Sequence, residues 1–486
     1  MLRSASTPLA PAADYERHRP EETPLYGIVE TYYPQFLARL EADGGSLPAF
    51  VKQEFDDYLK CGRLEHGFLR VKCDACSHEH LVAFSCKRRG FCPSCGARRM
   101  IESAAHLLDH VLPAQPIRQW VLTFPYPLRF LFAARPQVLG RVLGVVYRAI
   151  STHLLKRTGF TVACGARTGA VTLIQRFGSA LNLNIHFHML FLDGAYSFEG
   201  SRPMFHRAPR PTPTELARLL HRIAQRVARL LERQGLLVRD PDRDYLDVEP
   251  GEVFDQLVGA SVHYRIAIGP NAGRQALTLR TVPAQPEPVA STLLARQPGF
   301  SLHAATCCEA NQRDQLEKLC RYIARPAIAN ERLSTNERGQ IVYKFKQPFR
   351  NGTTHVVLEP LDLIARLAAL VPRPRLNLTR FHGVFAPNCK HRQSVVPKRK
   401  PGEENPDKPL APMSWMQRLQ RVFAIDIETC PKCGGKLRVI ACIEDPDVIA
   451  TILVHIQRRE AAEPSQPRAP PRRSEHLDTP NQDRLF

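Results

Sequence analysis

From residue 25 apolar positions recur every three or four residues through IVETYYPQFLARL, and again through PAFVKQEFDDYL after Gly44 and Gly45. That period predicts two helices ending near Leu59. The same spacing predicts helices in MIESAAHLLDHVL, stopped near Pro113, and over 135–156, 212–235 and 309–325. The 212–235 helix is read as opened by Thr214 and Glu215. Strand-like runs alternate with these: WVLTF, AVTLIQRF, LNLNIHFHMLFL, SVHYRIAIG, QALTLRTV, IVYKFK and THVVLEP. The turn-like pair Gly178–Ser179 and the stretch NGTT join two pairs of runs into predicted hairpins. The pattern is that of an α+β protein with a central antiparallel sheet and flanking helices.

Composition divides the chain. Residues 1–24 are polar and proline-rich and are expected to be disordered; 25–112 form a helical, cysteine-bearing domain; 113–396 hold most strands. Residues 397–412 read as a linker, 413–460 as a small C-terminal module, and 461–486 as a disordered basic tail. No internal repeat is visible.

Charge narrows the partner. Lys and Arg number 67 against 47 Asp and Glu, a formal charge of +20. Such an excess favours a polyanion. The sequence has no unbroken run of 18 apolar residues and no apolar segment of signal-peptide type at its start, so the expectation is a cytoplasmic protein acting on nucleic acid, without a membrane.

Of the 14 cysteines, six fall between Cys61 and Cys95 and three between Cys430 and Cys442. Cys73 and Cys76 make one C-x-x-C, Cys92 and Cys95 a second, and two such turns suit one tetrahedral structural zinc. Cys61, His66, His78, His80 and Cys86 lie close enough to supply another site or to be ordinary side chains. Lys87, Arg88, Arg89, Arg98 and Arg99 surround the second turn and could grip DNA phosphates or be a solvated face. Cys430 and Cys433, in CPKCGGKL, resemble half a zinc ribbon; only Cys442 and His455 stand nearby to complete a possible second zinc.

In NLNIHFHMLFLDG, His186 and His188 point to one face of a strand and Phe187 to the other. They are either hydrogen-bonded core histidines or metal ligands. A hairpin turning at 180–181 sets Gln175 opposite His186, giving two imidazoles and an amide oxygen that suit a divalent cation acting on phosphate. A register slip of one would send Gln175 to the wrong face. Further on, Leu316, Leu319, Cys320 and Ile323 form a helix core stripe. Tyr322 lies about 110° from that stripe. It is either a packing residue or a group facing a site, with Lys318 four residues before it on nearly the same face.

The order of zinc module, His-x-His and helical tyrosine resembles the HUH superfamily of single-strand endonucleases, and more closely the rolling-circle transposases of insertion sequence 91 type. The resemblance is carried by CGRLEHGFLRVKCDACSHEHLVAFSCKRRGFCPSCGARR, RQWVLTFPYPLRFLFAARP, NLNIHFHMLFLDG, RYIARPAIANERL, FKQPFRNGTTHVVLEPLDLIARLAALVPRPR and RFHGVFAPN. It implies an HUH-type sheet, His186 and His188 as ligands of Mg²⁺ or Mn²⁺, and Tyr322 as a nucleophile that forms a 5′-phosphotyrosine link to single-stranded DNA at mobile-element ends. Gln175 as third ligand rests on the hairpin together with the superfamily's usual upstream ligand. Some relatives carry two tyrosines four apart; here Lys318 takes the earlier position, so Tyr322 is expected to act alone, assisted by Lys318, with Tyr264 and Tyr343 next in order. Related readings are a plasmid replication initiator or relaxase with the same chemistry, and a zinc-dependent DNA-binding protein without enzymatic activity.

Overall fold

The computed structural model describes residues 19–199, 202–240, 245–247, 251–284, 293–397, 430 and 432–462. The expectations for residues 1–18, 398–412 and 463–486 fall outside the described residues; residues 19–24 and 461–462 do not follow the expected disorder, since a short 3-10 turn, Pro20–Glu22, leads into the first helix and the last helix runs to Ala462.

Two helices come first, α1 (Pro24–Ala42) and α2 (Ala49–Lys60). A hairpin of β1 (Phe68–Cys73) and β2 (Glu79–Ala83) follows, then α3 (Pro93–His110). Helix α3 starts seven residues earlier than the apolar pattern predicts, because Pro93 fits the first helical position and the first turn carries Cys95 in place of a regular stripe.

A seven-stranded antiparallel sheet forms the centre. It is built from β3 (Ile117–Thr123), β4 (Gly169–Phe177), β5 (Leu183–Leu192), β11 (Leu294–Gln297), β12 (Phe300–His303), β13 (Cys307–Cys308) and β17 (Thr379–Gly383). The order is β11-β12-β3-β5-β4-β17, with β13 also pairing β3. Strand β5 lies inside the sheet and all of its residues are buried.

Alternation along β5 gives the sheet two different faces. Ile185, Phe187, Met189 and Phe191 face the larger core. There they meet α4 (Tyr126–Ala134), α5 (Pro136–Arg157), α6 (Pro213–Glu232), α7 (Val253–Val262) and α9 (Pro360–Leu370). The opposite face, with Leu190 and Leu192, is covered by α3 and α8 (Arg313–Ile323) through Leu107, Leu108, Leu316, Leu319 and Ile323. Helices α1 and α2 share the larger core. Helix α5 is long and apolar enough to cross a membrane, yet Val138, Val142, Val146 and Ile150 are buried inside the protein.

The remaining strands lie off the centre. A hairpin, β6 (Gly194–Glu199) and β7 (Arg202–Arg207), and two short strands, β8 (Leu237–Val238) and β9 (Tyr245–Leu246), pair separately. A four-stranded sheet has β10 (Leu277–Arg280), β14 (Leu333–Thr335), β15 (Ile341–Lys344) and β16 (Thr353–Leu358), with β15 and β16 forming the hairpin expected from NGTT. A short α10 (Arg392–Val395) ends this part. The last strand, β18 (Leu437–Ile443), precedes a helix over Pro446–Ala462 and pairs with β1.

Two local expectations fail. SVHYRIAIG is not a strand: its first two residues end α7, Tyr264 takes a φ of 59°, and the rest loops back with Arg265 bridging Gln275. Burial of Phe254, Leu257, Val258 and Val262 makes this stretch the end of a helix despite its alternation. Helix α6 is opened by Thr212, not Thr214: Thr212 and Glu215 cap each other's backbone N–H groups in a capping box.

Candidate functional site

The cysteines assemble into two groups of four, and the grouping differs from the expectation of one site made by Cys73, Cys76, Cys92 and Cys95. One group is Cys61, Cys86, Cys92 and Cys95; the other is Cys73, Cys76, Cys430 and Cys433. The β1–β2 hairpin is the reason. Its tip carries Cys73 and Cys76 away, while its open end, closed by Gly62 N–H to Phe84 O, brings Cys86 back to Cys61. Cys92 and Cys95 complete that group from the start of α3. Its sulfurs lie 3.4–3.7 Å apart across Cys86–Cys95, Cys61–Cys95 and Cys61–Cys92. Four thiolates around zinc at about 2.3 Å stand about 3.8 Å apart, so the donor set fits a structural zinc. Cys442 and His455 are exposed and do not complete the C-terminal pair; His66, His78 and His80 belong to neither group.

On the sheet face beneath α8, Gln175 pairs with His186 in the β4–β5 register, as the hairpin argument expects. His186 and His188 are about 1% exposed. Burial depresses both imidazoles, His186 to about 4 and His188 well below its ordinary value, so both are neutral at pH 7. Their Nε2 atoms face each other at 3.1 Å. His186 Nδ1 lies 2.8 Å from Asn184 O, so Nδ1 carries the proton and Nε2 presents a lone pair. Gln119 Nε2 lies 2.9 Å from His188 Nδ1, while Gln119 Oε1 is buried without a partner. Turning that amide over would place Oε1 to accept from His188 Nδ1–H and free the second Nε2 lone pair.

This donor set fits a divalent metal. Two nitrogens at about 2.1 Å from one ion and at right angles lie about 3 Å apart. Asn184 shares the face two residues from His186, and its buried Oδ1 has no hydrogen-bond partner. Gln175 is buried beside them, its Nε2 3.5 Å from Ile323 O. Oxygen donors therefore stand next to two neutral imidazoles.

Tyr322, half-buried near the end of α8, sets its ring edge-on to His188, centroids 6.3 Å apart at 87°. The Arg325 guanidinium lies 4.2 Å and the Lys346 ammonium 5.7 Å from the tyrosine ring centroid. Among the described residues these are the two cations set against the ring; Lys318 is exposed and lines neither the cavity beside Tyr322 nor the one between α3 and β4. Tyr322, Arg325, Arg332, Tyr343 and Lys346 line a cavity of about 50 Å³. Tyr343 is buried there, and burial raises its phenol above the ordinary value; Tyr264 lies outside.

Arg325 also lines a second cavity, of about 120 Å³, between α3 and β4. Arg88, Arg89, Arg99 and Arg176 share it with Gln175, and no acidic residue lines either cavity. Arg176 is fully buried and bonds only backbone oxygens, of Ala369 and Leu370, among the hydrogen bonds described. Arg89 likewise donates to Leu376 O, and Arg99 to the carbonyls of Lys87 and Arg88. Arg88 is paired with Asp57 and Arg98 with Glu102; Arg98 and the exposed Lys87 do not line the cavity. Three of the five expected phosphate-binding residues are thus brought together with Gln175.

Residues 28–124 match the family described as a transposase zinc-binding domain, of insertion sequence 91 type, and residues 169–393 match the family described as "Putative transposase". The chain belongs to the insertion sequence 91 family of transposases. A search among curated proteins and one among solved structures each give no match. The transposase is thus a DNA-processing enzyme with an N-terminal zinc-binding domain, and the first cysteine group lies wholly inside that domain.

Sequence reasoning missed Gln119, Asn184, Arg176 and Lys346 in this transposase. Asn184 was within reach, since it alternates with His186 on the same strand. Arg176 was visible as a charge inside a strand whose other residues are mostly apolar. Gln119 and Lys346 arrive from β3 and from beyond β15, pairings that no local pattern encodes.

Proposed function

We propose that the transposase nicks and rejoins single-stranded DNA in rolling-circle transposition, with Tyr322 as nucleophile on an HUH-type sheet. The observation that carries this reading is the tyrosine ring standing edge-on to His188 with the Arg325 and Lys346 cations against it. His186, His188 and Gln175 would hold Mg²⁺ or Mn²⁺, with Asn184 Oδ1 as a further oxygen donor. When bound, the metal supplies Lewis acidity to the scissile phosphate.

The chain's own groups do the rest. Tyr322 attacks phosphorus, a P–O bond to the phenolic oxygen forms and the P–O3′ bond breaks. The phenolic proton is balanced by the proton taken up on the leaving 3′-OH. Attack by a 3′-OH on the tyrosyl phosphate reverses the step, so joining needs no nucleotide cofactor. Arg325 and Lys346 offset the charge gathering on the phosphoryl oxygens. Arg88, Arg89, Arg99 and Arg176 line the path for flanking phosphates of the strand.

The test uses single-stranded DNA carrying an element end, labelled at its 3′ end, with Mg²⁺ or Mn²⁺, resolved on a denaturing gel. Wild-type protein should give a shifted covalent band, and Tyr322→Phe should give none while still binding DNA. His186→Ala with His188→Ala should also remove the band. An adduct that persists with Tyr322→Phe would transfer the role to another nucleophile, Tyr343 first. Wild-type binding without any adduct would leave a DNA-binding protein that does not cut.

A further inference from the structure

The second cysteine group lies partly outside both family matches, which end at residues 124 and 393, whereas two of its thiols are Cys430 and Cys433. We propose that Cys73, Cys76, Cys430 and Cys433 form a second tetrathiolate zinc site, shared between the two ends of the chain, and that this metal fastens residues 432–462 onto the zinc-binding domain.

The geometry of the four sulfurs is the first support. They all lie within 4.8 Å of one another, with Cys73–Cys433 and Cys76–Cys430 at 3.5 Å. That is close to the separation of about 3.8 Å expected around tetrahedral zinc. It is also far from the roughly 2.05 Å of a disulfide.

Backbone geometry is the second support. Both halves are built as knuckles. Ala75 N–H points to Cys73 Sγ at 3.4 Å, and Gly435 N–H points to Cys433 Sγ at 3.4 Å. The residue after the second cysteine is left-handed in each, Ser77 at φ 57° after Cys76 by one place and Gly434 at φ 72° after Cys433. Gly435 is required for the two knuckles to meet, since a Cβ there would come within 2.8 Å of Ala75 Cβ and 3.0 Å of Cys73 Sγ. N–H groups aimed at sulfur favour the thiolate, which is the form that binds metal.

The sheet around the site is the third. Asp74 N–H donates to Lys436 O, and β18 then runs antiparallel along β1 from Cys73↔Leu437 to Phe68↔Ile443. The result is one ribbon, in the order β2-β1-β18, whose third strand comes from the far end of the sequence. The core beneath it is small, Val71, Cys73, Cys430 and Leu437. Among the described residues of the following helix only Ile449 is buried, and a metal is the means by which modules with so small a core are stabilised. Lys72, Lys432, Lys436 and Arg438 flank the knuckles, and Arg438 also reaches Asp74 at 2.8 Å. Their charge suits the net negative charge that four thiolates leave on Zn²⁺.

The test is metal counting on the full chain, purified with a reductant and without chelator. Wild type should hold two zinc ions per chain, and zinc X-ray absorption should give four sulfur neighbours at about 2.3 Å for both. Cys430→Ser with Cys433→Ser should retain one zinc, and β1 amides around Val71 should lose hydrogen-exchange protection while α2 and α3 keep theirs. One zinc in the wild type, a nitrogen ligand at the second ion, or unchanged protection of β1 in the double variant would each overturn the shared site. Because the wild-type count and ligand spectrum need no variant, misfolding of the double variant does not blur the answer. Neither measurement depends on whether Tyr322 cuts DNA.

Discussion

At the scale of single residues, the charge beside Tyr322 comes from two places the sequence treats differently. Arg325 lies three residues on, within reach of helix reasoning. Lys346 comes from the bend just after β15, distant in sequence. Lys346→Met should slow formation of the covalent DNA adduct about tenfold, equivalent to roughly 1.4 kcal/mol in the barrier. The exposed Lys318, changed to Ala, should alter the rate by less than about twofold, the range expected of a surface charge. Single-turnover gels with saturating DNA measure both, and a Lys318→Ala effect as large as that of Lys346→Met would support the assisting role expected for Lys318. The histidines and Gln175 were legible because a period of two and a short hairpin fix which side chains share a face. The cysteine grouping was not, because ligand spacing says which thiols can pair in a turn but not which turns a hairpin brings together.

At the scale of elements, most long helices and the three inner strands β3, β4 and β5 follow from apolar periodicity, whereas β11, β12, β13 and β17 are too short to show a period and were not predicted. Helix α3 carries its metal-binding cysteines where a stripe would be, and the end of α7 mimics a strand until burial decides. The fit of α3 against the end of α8 is tight. A Cβ on Gly96 would lie 2.6 Å from Pro326 Cβ and 3.3 Å from Pro326 Cα, so neither a ring nor a backbone can yield. Gly96→Val should therefore cost about 1–3 kcal/mol. Gly140→Ala in α5, where nothing lies within 4 Å of the added Cβ, should be neutral or stabilise by up to about 1 kcal/mol. Urea midpoints compared with wild type decide; equal midpoints for Gly96→Val and wild type would mean that α3 can shift without loss.

At the scale of the whole molecule, buried and half-buried neutral histidines make stability depend on pH. Burial holds His303 and His382 at about 4, as it does His186. The unfolded chain takes up protons near pH 6.5 that the folded chain refuses until about 4. Stability should thus be full above pH 6.5 and fall as the solution is acidified towards 4, by up to about 1.4 kcal/mol per pH unit for each such histidine. Denaturation midpoints between pH 7 and 5 check this, and His303→Gln with His382→Gln should flatten the slope. A midpoint that rises on acidification would contradict the sign. The sheet architecture that buries these rings was legible only in outline, since the order β11-β12-β3-β5-β4-β17 joins strands distant in sequence.

Helix α3 belongs to two sites at once. Its first turn supplies Cys92 and Cys95, and its far end is gripped by Arg313 at the start of α8, which donates to Leu108, Leu112 and Pro113 carbonyls. Between these ends the two helices share one apolar seam, and α8 carries Tyr322 at its own end. A metal that orders the start of α3 therefore also acts on the seam against which Tyr322 packs. Thermodynamic reciprocity requires the converse: a DNA strand that prefers the ordered tyrosine must tighten the hold on zinc by the same factor. Under the proposed function the zinc ion would be an effector of strand cleavage, with substrate and metal retaining each other through a single helix.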